Sequence, residues 1–85
     1  MRIIVVYDIN QERVCKVMKV CREYLHHVQN SVFEGDITQA NFKVLKEILE
    51  GIIEEKDSIL IYKFRSQMYK KEIIGIEKNE TGNII

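Results

Sequence analysis

The chain has 85 residues, 46% of them hydrophobic and 31% charged, with a formal net charge of zero. That length supports one small domain, and the composition argues against disorder and against nucleic-acid binding through total charge. No apolar run approaches the ~18 residues of a membrane span, and no charged leader with a small-residue cleavage site is visible. A cytoplasmic protein with no membrane partner is therefore expected.

The first predicted element lies in MRIIVVYDIN. Ile3, Ile4, Val5, Val6 and Tyr7 make residues 2–8 a β-branched strand, which ends on a lone carboxylate, Asp8. Asn10 is the candidate N-cap of a helix over roughly 11–26, with Val14, Val17, Met18, Cys21 and Leu25 forming its apolar stripe. Arg13, Lys16, Lys19 and Glu23 lie largely off that stripe. Cys15 and Cys21 are separated by about 600° of helical turn and about 9 Å of rise, so they cannot pair within the helix. His26 and His27 add no zinc-ligand spacing. Buried or half-buried thiols and surface histidines are expected.

HVQNSVFEGDI then predicts a strand, or two short strands bending near Asn30–Ser31, closed by Gly35 and Asp36. Thr38 can cap a second helix in which Leu45, Ile48, Leu49 and Ile52 recur at helical spacing, with Gly51 in its last turn or at its C-cap. After the acidic turn EEKD, SILIYKF is a strand with an apolar residue at nearly every position. KEIIGIE is a shorter strand, and NETGNII is a polar tail. With no proline, repeat or low-complexity segment, nothing marks a linker.

Strand, helix, strand or hairpin, helix, strand, strand is an order that suits a split βαβ. The expected fold is therefore α+β: a ferredoxin-like βαββαβ sandwich over residues 1–78, with both helices on one face of a mainly antiparallel sheet. Residues 79–85 form a C-terminal tail. IIVVY and SILIY are apolar on both faces, yet two helices cover only one. A second copy packed sheet to sheet is the economical cover for a chain this small. In such a two-fold dimer Asp8 near the axis meets its own twin. Two carboxylates suffice for Mg²⁺, which keeps several waters and orients a phosphate. The commoner role of such an aspartate is a polar strand end that helps cap the following helix.

Charge is unevenly spread. Residues 1–27 carry Arg2, Arg13, Lys16, Lys19 and Arg22 against Asp8, Glu12 and Glu23, and residues 34–57 carry seven acids against three lysines. KFRSQMYKK then restores Lys63, Arg65, Lys70 and Lys71. If the fold gathers the two basic segments, one face becomes basic. A mixed solvated surface is the commoner outcome.

MRIIVVYDI, the helix RVCKVMKVCREYL and VQNSVFEGDI together resemble the CRISPR-associated protein-two family, the small subunit of the spacer-integration machinery. FRSQMY and EIIGIEKN look similar as well, so the resemblance spans essentially the whole chain. It implies a ferredoxin-like homodimer with facing sheets, Mg²⁺ (or Mn²⁺) at the aspartate of YDI, here Asp8, and a tail GNII that adds a strand across the dimer. Tyr7, Asp8, Ser31 and Phe33 match the family pattern. Tyr7 and Asp8 are thus the catalytic candidates, with Ser31 and Phe33 near the site. The family's arginine pair at the helix start is here Arg13 followed by Val14, and His27 stands where a basic residue precedes VQ. Lys16 and Lys19 can compensate as point charges, without arginine's bidentate geometry.

Three functions follow. One is an Mg²⁺-dependent endonuclease acting on RNA or duplex DNA, with Asp8 as metal ligand. The second is a non-catalytic scaffold that bridges CRISPR integrase subunits and holds duplex DNA through phosphate contacts at Arg13, Lys16, Lys19, Arg65 and Lys71. The third, outside the family, is a ferredoxin-like regulator that binds a small ligand. No glycine-rich phosphate loop supports the third. An RNA-recognition motif is excluded because SVFEGDI lacks the basic, multi-aromatic pattern on which bases stack.

Overall fold

Alternation along the first strand sorts the molecule into two sides. The computed structural model describes residues 1–65 and 72–75. In chain order the elements are β1 (Arg2–Asp8), α1 (Gln11–Tyr24), β2 (His26–Gln29), β3 (Val32–Asp36), α2 (Gln39–Ile52) and β4 (Ser58–Phe64). The sheet order is β2-β3-β1-β4, and each neighbouring pair is antiparallel. This is the expected ferredoxin-like βαββαβ arrangement, with β1 at the centre. No described helix is long and apolar enough to cross a membrane.

Ile3, Val5 and Tyr7 point to the helices and are buried. Strand register brings Phe33 and Ile61 level with Val5, and Ile59 level with Tyr7, on that same side. Val17, Met18 and Cys21 from α1, and Phe42, Leu45 and Leu49 from α2, close over them. Each such side chain, fully buried, contributes roughly 1.5–3 kcal/mol. Both helices begin as their caps dictate. The Asn10 side chain accepts from the Glu12 amide at 2.9 Å, and Thr38 Oγ1 accepts from the Asn41 amide at 3.1 Å. Gly51 lies in the last turn of α2.

Several boundaries and burials differ from the sequence expectation. Helix α1 stops at Tyr24 rather than near 26, because Leu25 takes an extended conformation (φ −135°, ψ 172°) and sends the chain straight into β2. That short strand turns His27 inward opposite Phe33, so this histidine is 1% exposed rather than on the surface. Its ring stacks on Phe33 with centroids 4.6 Å apart, and its Nε2 lies 3.0 Å from the Asn30 carbonyl, to which it donates. Gly35 lets the strand pass close beneath this corner: a Cβ there would stand 3.2 Å from Leu25 Cδ2. Within the predicted strand KEIIGIE, residues 72–75 are not strand but a bend in which Gly75 takes φ +93°. The rest of that segment, and the tail at 79–85 with its cross-dimer strand, lie outside the described residues.

The opposite side of the sheet is open among the described residues. Arg2, Ile4, Val6 and Asp8 alternate onto it, and register sets Phe64, Tyr62, Leu60 and Ser58 beside them. Leu60 and Tyr62 are more than half exposed, at 53% and 52%. At one end of this side Arg2 pairs with Glu34 and Asp36, each at 3.2 Å.

The two thiols also part company. Cys21 is fully buried, and burial pushes its pKa up to about 12, whereas Cys15 is exposed. A thiol reagent near neutral pH should therefore label Cys15 quickly in the native protein and Cys21 only after denaturant is added. Equal labelling of both in the native state would contradict the packing of α1.

Candidate functional site

Asp8 is the last residue of β1, exposed, at the end of the open side opposite to the Arg2 cluster. It does not cap α1. That place belongs to Asn10, whose carbonyl also accepts from the Arg13 and Val14 amides at 2.9 and 3.1 Å. Among the described residues the Asp8 carboxylate has no hydrogen bond or ion pair, so its oxygens are available to a cation. The described residues hold no cluster of three or more metal-ligating side chains. One exposed carboxylate per chain fits Mg²⁺, which binds through one or two carboxylates and keeps its other positions for water and phosphate oxygens. Asp8 is the residue that would hold it.

The strand end carrying Asp8 is held from two directions. On one side the β2–β3 turn is tied down: the Tyr7 amide donates to the Ser31 carbonyl at 3.0 Å, and the Tyr7 hydroxyl donates to the Asn30 carbonyl at 2.9 Å. On the other side Asp8 pairs in register with Ser58, the first residue of β4. The residue just before it, Asp57, is the polar centre of this corner. One Asp57 oxygen accepts from the Asn10 amide (2.9 Å) and Arg13 Nη2 (3.1 Å). The other accepts from Arg13 Nε (2.7 Å) and the Glu54 amide (2.9 Å). Its side chain is 1% exposed. These hydrogen bonds, that to Arg13 foremost, hold its carboxyl well below the usual carboxylate range.

The residues singled out from the sequence separate into distinct places. Tyr7 shares β1 with Asp8 but points to the opposite side of the sheet, 5% exposed and under the helices. Burial, and then the neighbouring Cys21, raise its pKa, so it stays a neutral hydrogen-bond donor to Asn30. Phe33 is also core, packed between His27 and Tyr7. Ser31 lies closer to Asp8, through its backbone bond to the adjacent Tyr7. Arg13, expected at phosphate, is instead clamped to Asp57, with Glu54 and Glu12 at 3.7 and 3.9 Å. Lys16 and Lys19 are exposed on α1, one turn apart, with no ion pair among the described residues. Arg65 is exposed just beyond β4, at the far end of the sheet from Asp8, about 20 Å away along the strand. Lys71 lies outside the described residues. Sequence reasoning missed Asp57, which read as one more acid in a solvated turn. Its position between a helical turn and a strand start was the available signal.

Comparison with known proteins gives a consistent result. The profile of the family described as CRISPR associated protein Cas2 matches residues 1–72. A Pyrococcus furiosus protein named CRISPR-associated endoribonuclease Cas2 is 55% identical over 86 residues, covering all of both chains. A Dictyoglomus turgidum protein of the same name is 48% identical over 87 residues, again covering both chains completely. Among solved structures, a crystal structure of Cas2 superposes with a TM-score of 0.87 at 42% identity, covering 100% of this chain and 98% of that one. Streptococcus pyogenes Cas2 gives 0.76 at 40% identity, covering 88% of this chain and all of that one.

The Asp57 clamp has a pH signature. A carboxyl whose pKa is lowered by folding adds stability that is complete above its unfolded value, about 4, and is lost as pH falls below that toward the folded value. Asp57→Asn should therefore lower Tm at neutral pH and flatten the acid limb of a Tm-against-pH curve. A variant whose acid limb runs parallel to that of the parent would show that this ion pair is not coupled to folding.

Proposed function

The chain belongs to the CRISPR-associated Cas2 family, and on that premise we propose that it is a nuclease of CRISPR adaptation working as a sheet-to-sheet homodimer. Its relatives carry the name endoribonuclease, so RNA is the first substrate to test and duplex DNA the second. The observation that carries this reading is the open side of the sheet: Ile4, Val6, Leu60 and Tyr62 form an apolar surface that ends at Asp8. A second copy packed on that surface removes it from water and brings the twin carboxylate across the two-fold axis.

Mg²⁺ or Mn²⁺ would be held by the Asp8 carboxylates of the two protomers. When bound it supplies Lewis-acid polarisation of a phosphoryl oxygen and raises the acidity of a water. The chain's own residues do the rest. Lys16 and Lys19, neighbours on one helix face, attract phosphates as point charges and read no base sequence. The Ser31–Tyr7 and Asp57 ties hold the strand end, so Asp8 meets its substrate in a fixed position. Tyr7 serves as a positioning residue through its bond to Asn30.

The second reading is a scaffold that carries duplex DNA between subunits of the CRISPR integrase. The exposed Lys16 and Lys19 favour it, since phosphate binding requires no chemistry at Asp8. Both roles can reside in one molecule.

Asp8→Asn separates them. It keeps the side chain's shape and removes the charge that holds the cation, so metal-dependent cleavage of labelled RNA or duplex should fall to background. Nucleic-acid binding should persist, and fold stability should stay within ~0.5 kcal/mol of the parent. Cleavage at the parental rate would sink the assignment of Asp8. The dimer is tested independently by Leu60→Asp, which puts a charge in the proposed interface but leaves the helix-side core intact. Sedimentation should show a folded monomer with cleavage lost alongside. A dimer unaffected by this change would rule out the sheet-to-sheet arrangement.

A further inference from the structure

The cations among the described residues include two groups that the sequence does not distinguish. Arg2 and Arg13 are bound to acids within the fold. Lys43, Lys46, Lys63 and Arg65 are exposed and, among the described residues, in no ion pair. Lys43 and Lys46 sit one turn apart on α2, inside the segment whose overall balance is acidic. Folding nevertheless brings them beside the end of β4. Two adjoining grooves meet there, sharing Gln39 and Lys63. Among the described residues, the first is lined by Lys43, Lys46 and Phe42 and the second by Met1, Phe64 and Arg65, and no carboxylate lines either one. Glu34 and Asp36 are engaged by Arg2 on the other side of the sheet, and Glu47 and Glu50, exposed one turn along α2 from Lys43 and Lys46, lie outside both grooves. Lys63 Nζ lies 5.2 Å from the centre of the Phe42 ring, which steadies it over the groove. The N-terminal end of α2 faces the same region with no acid in its first turn, so its positive end is not offset there.

We propose that Lys43, Lys46, Lys63 and Arg65 form a second contact for a nucleic-acid phosphate backbone, at the end of the sheet remote from Asp8. The proposal rests on the nucleic-acid reading above and adds a place and a ligand chemistry to it. The grooves are open, and among the described residues no glycine-rich loop encloses a free phosphate there. Lysine predominates, which suits contact with a chain of phosphates without base readout. An acidic protein segment would also meet positive charge here, but of the two aromatic rings that line the grooves, Phe42 and Phe64, the first is already covered by Lys63. Because this patch lies about 20 Å from Asp8 along the strands, it grips the substrate well away from the point of attack. It therefore contributes to affinity and not to the chemical step.

The test uses the triple variant Lys43→Gln, Lys46→Gln, Lys63→Gln in the full chain, with an unchanged thermal melt as the folding control. Association with a labelled duplex and with the matching RNA is measured between about 50 and 200 mM salt. Each lost phosphate contact reduces the slope of log affinity against log salt by about 0.9, so the triple variant should flatten by about 2.7 with duplex. The double variant Lys43→Gln, Lys46→Gln should flatten by about 1.8. Cleavage at saturating substrate should keep its kcat while KM rises. An unchanged slope in the triple variant would overturn the proposal, and so would intact nucleic-acid binding accompanied by lost binding to poly-glutamate, which would make the surface protein-facing. The parent reading is judged separately by Lys16→Gln, Lys19→Gln and Asp8→Asn. A parental protein that binds no nucleic acid at all would overturn both.

Discussion

The Asp57 carboxylate is the point on which the geometry of the candidate site depends. It binds the amide that opens α1, the guanidinium of Arg13 one turn into that helix, and the amide of Glu54 in the turn ahead of β4. Three separate stretches of chain are thereby fixed to one nearly inaccessible group. An ionised carboxylate can be kept out of water in this way because two amides and a guanidinium satisfy both of its oxygens. The pair is worth most as a device for position. Removing either partner would leave the other charged and poorly solvated. Since Asp57 immediately precedes the register partner of Asp8, the place of the exposed acid follows from that of the buried one.

Arginine and lysine are used differently across the molecule. Arg2 and Arg13 make paired, directional contacts with carboxylates, for which a planar fork is suited. The exposed cations are mostly lysines, whose flexible stems and compact charges adapt to a phosphate chain. A net charge of zero thus conceals a separation of roles. Arg2, Arg13 and their acids are structural, and Lys16, Lys19, Lys43 and Lys46 remain exposed on the two helices. The proposed function depends on how charge is distributed after folding and very little on its sum.

Much of this architecture was legible in the residues themselves. The β-branched runs at 2–8 and 58–64, the caps Asn10 and Thr38, and the bend at Asn30–Ser31 all appear where local preference placed them. Each of these signals is confined to a few neighbouring residues. Double-sided apolarity in β1 and β4 likewise pointed to the side of the sheet that is open among the described residues. Tyr7 and Arg13 were harder, because their roles depend on partners far along the chain: Asn30 for one and Asp57 for the other. His27 read as a surface residue because a four-residue strand gives too little alternation to show which side faces in. The grouping of Lys43 and Lys46 with Lys63 was equally hidden, since only the α2–β4 packing makes them neighbours.

The central position of β1 also bears on how the chain is made. Its first strand pairs with residues 32–36 on one edge and 58–64 on the other. During synthesis Ile3, Val5 and Tyr7 therefore leave the ribosome long before both of their neighbours exist, and Arg2 waits for Phe64. A short β-branched apolar segment without a partner is the kind of sequence that seeds aggregation. Here it is bracketed by a cation at Arg2 and an anion at Asp8. Charges at the two ends of a sticky strand act as gatekeepers against growth of unwanted assemblies. The acid at the candidate active site thus guards the nascent chain before it has any substrate to meet.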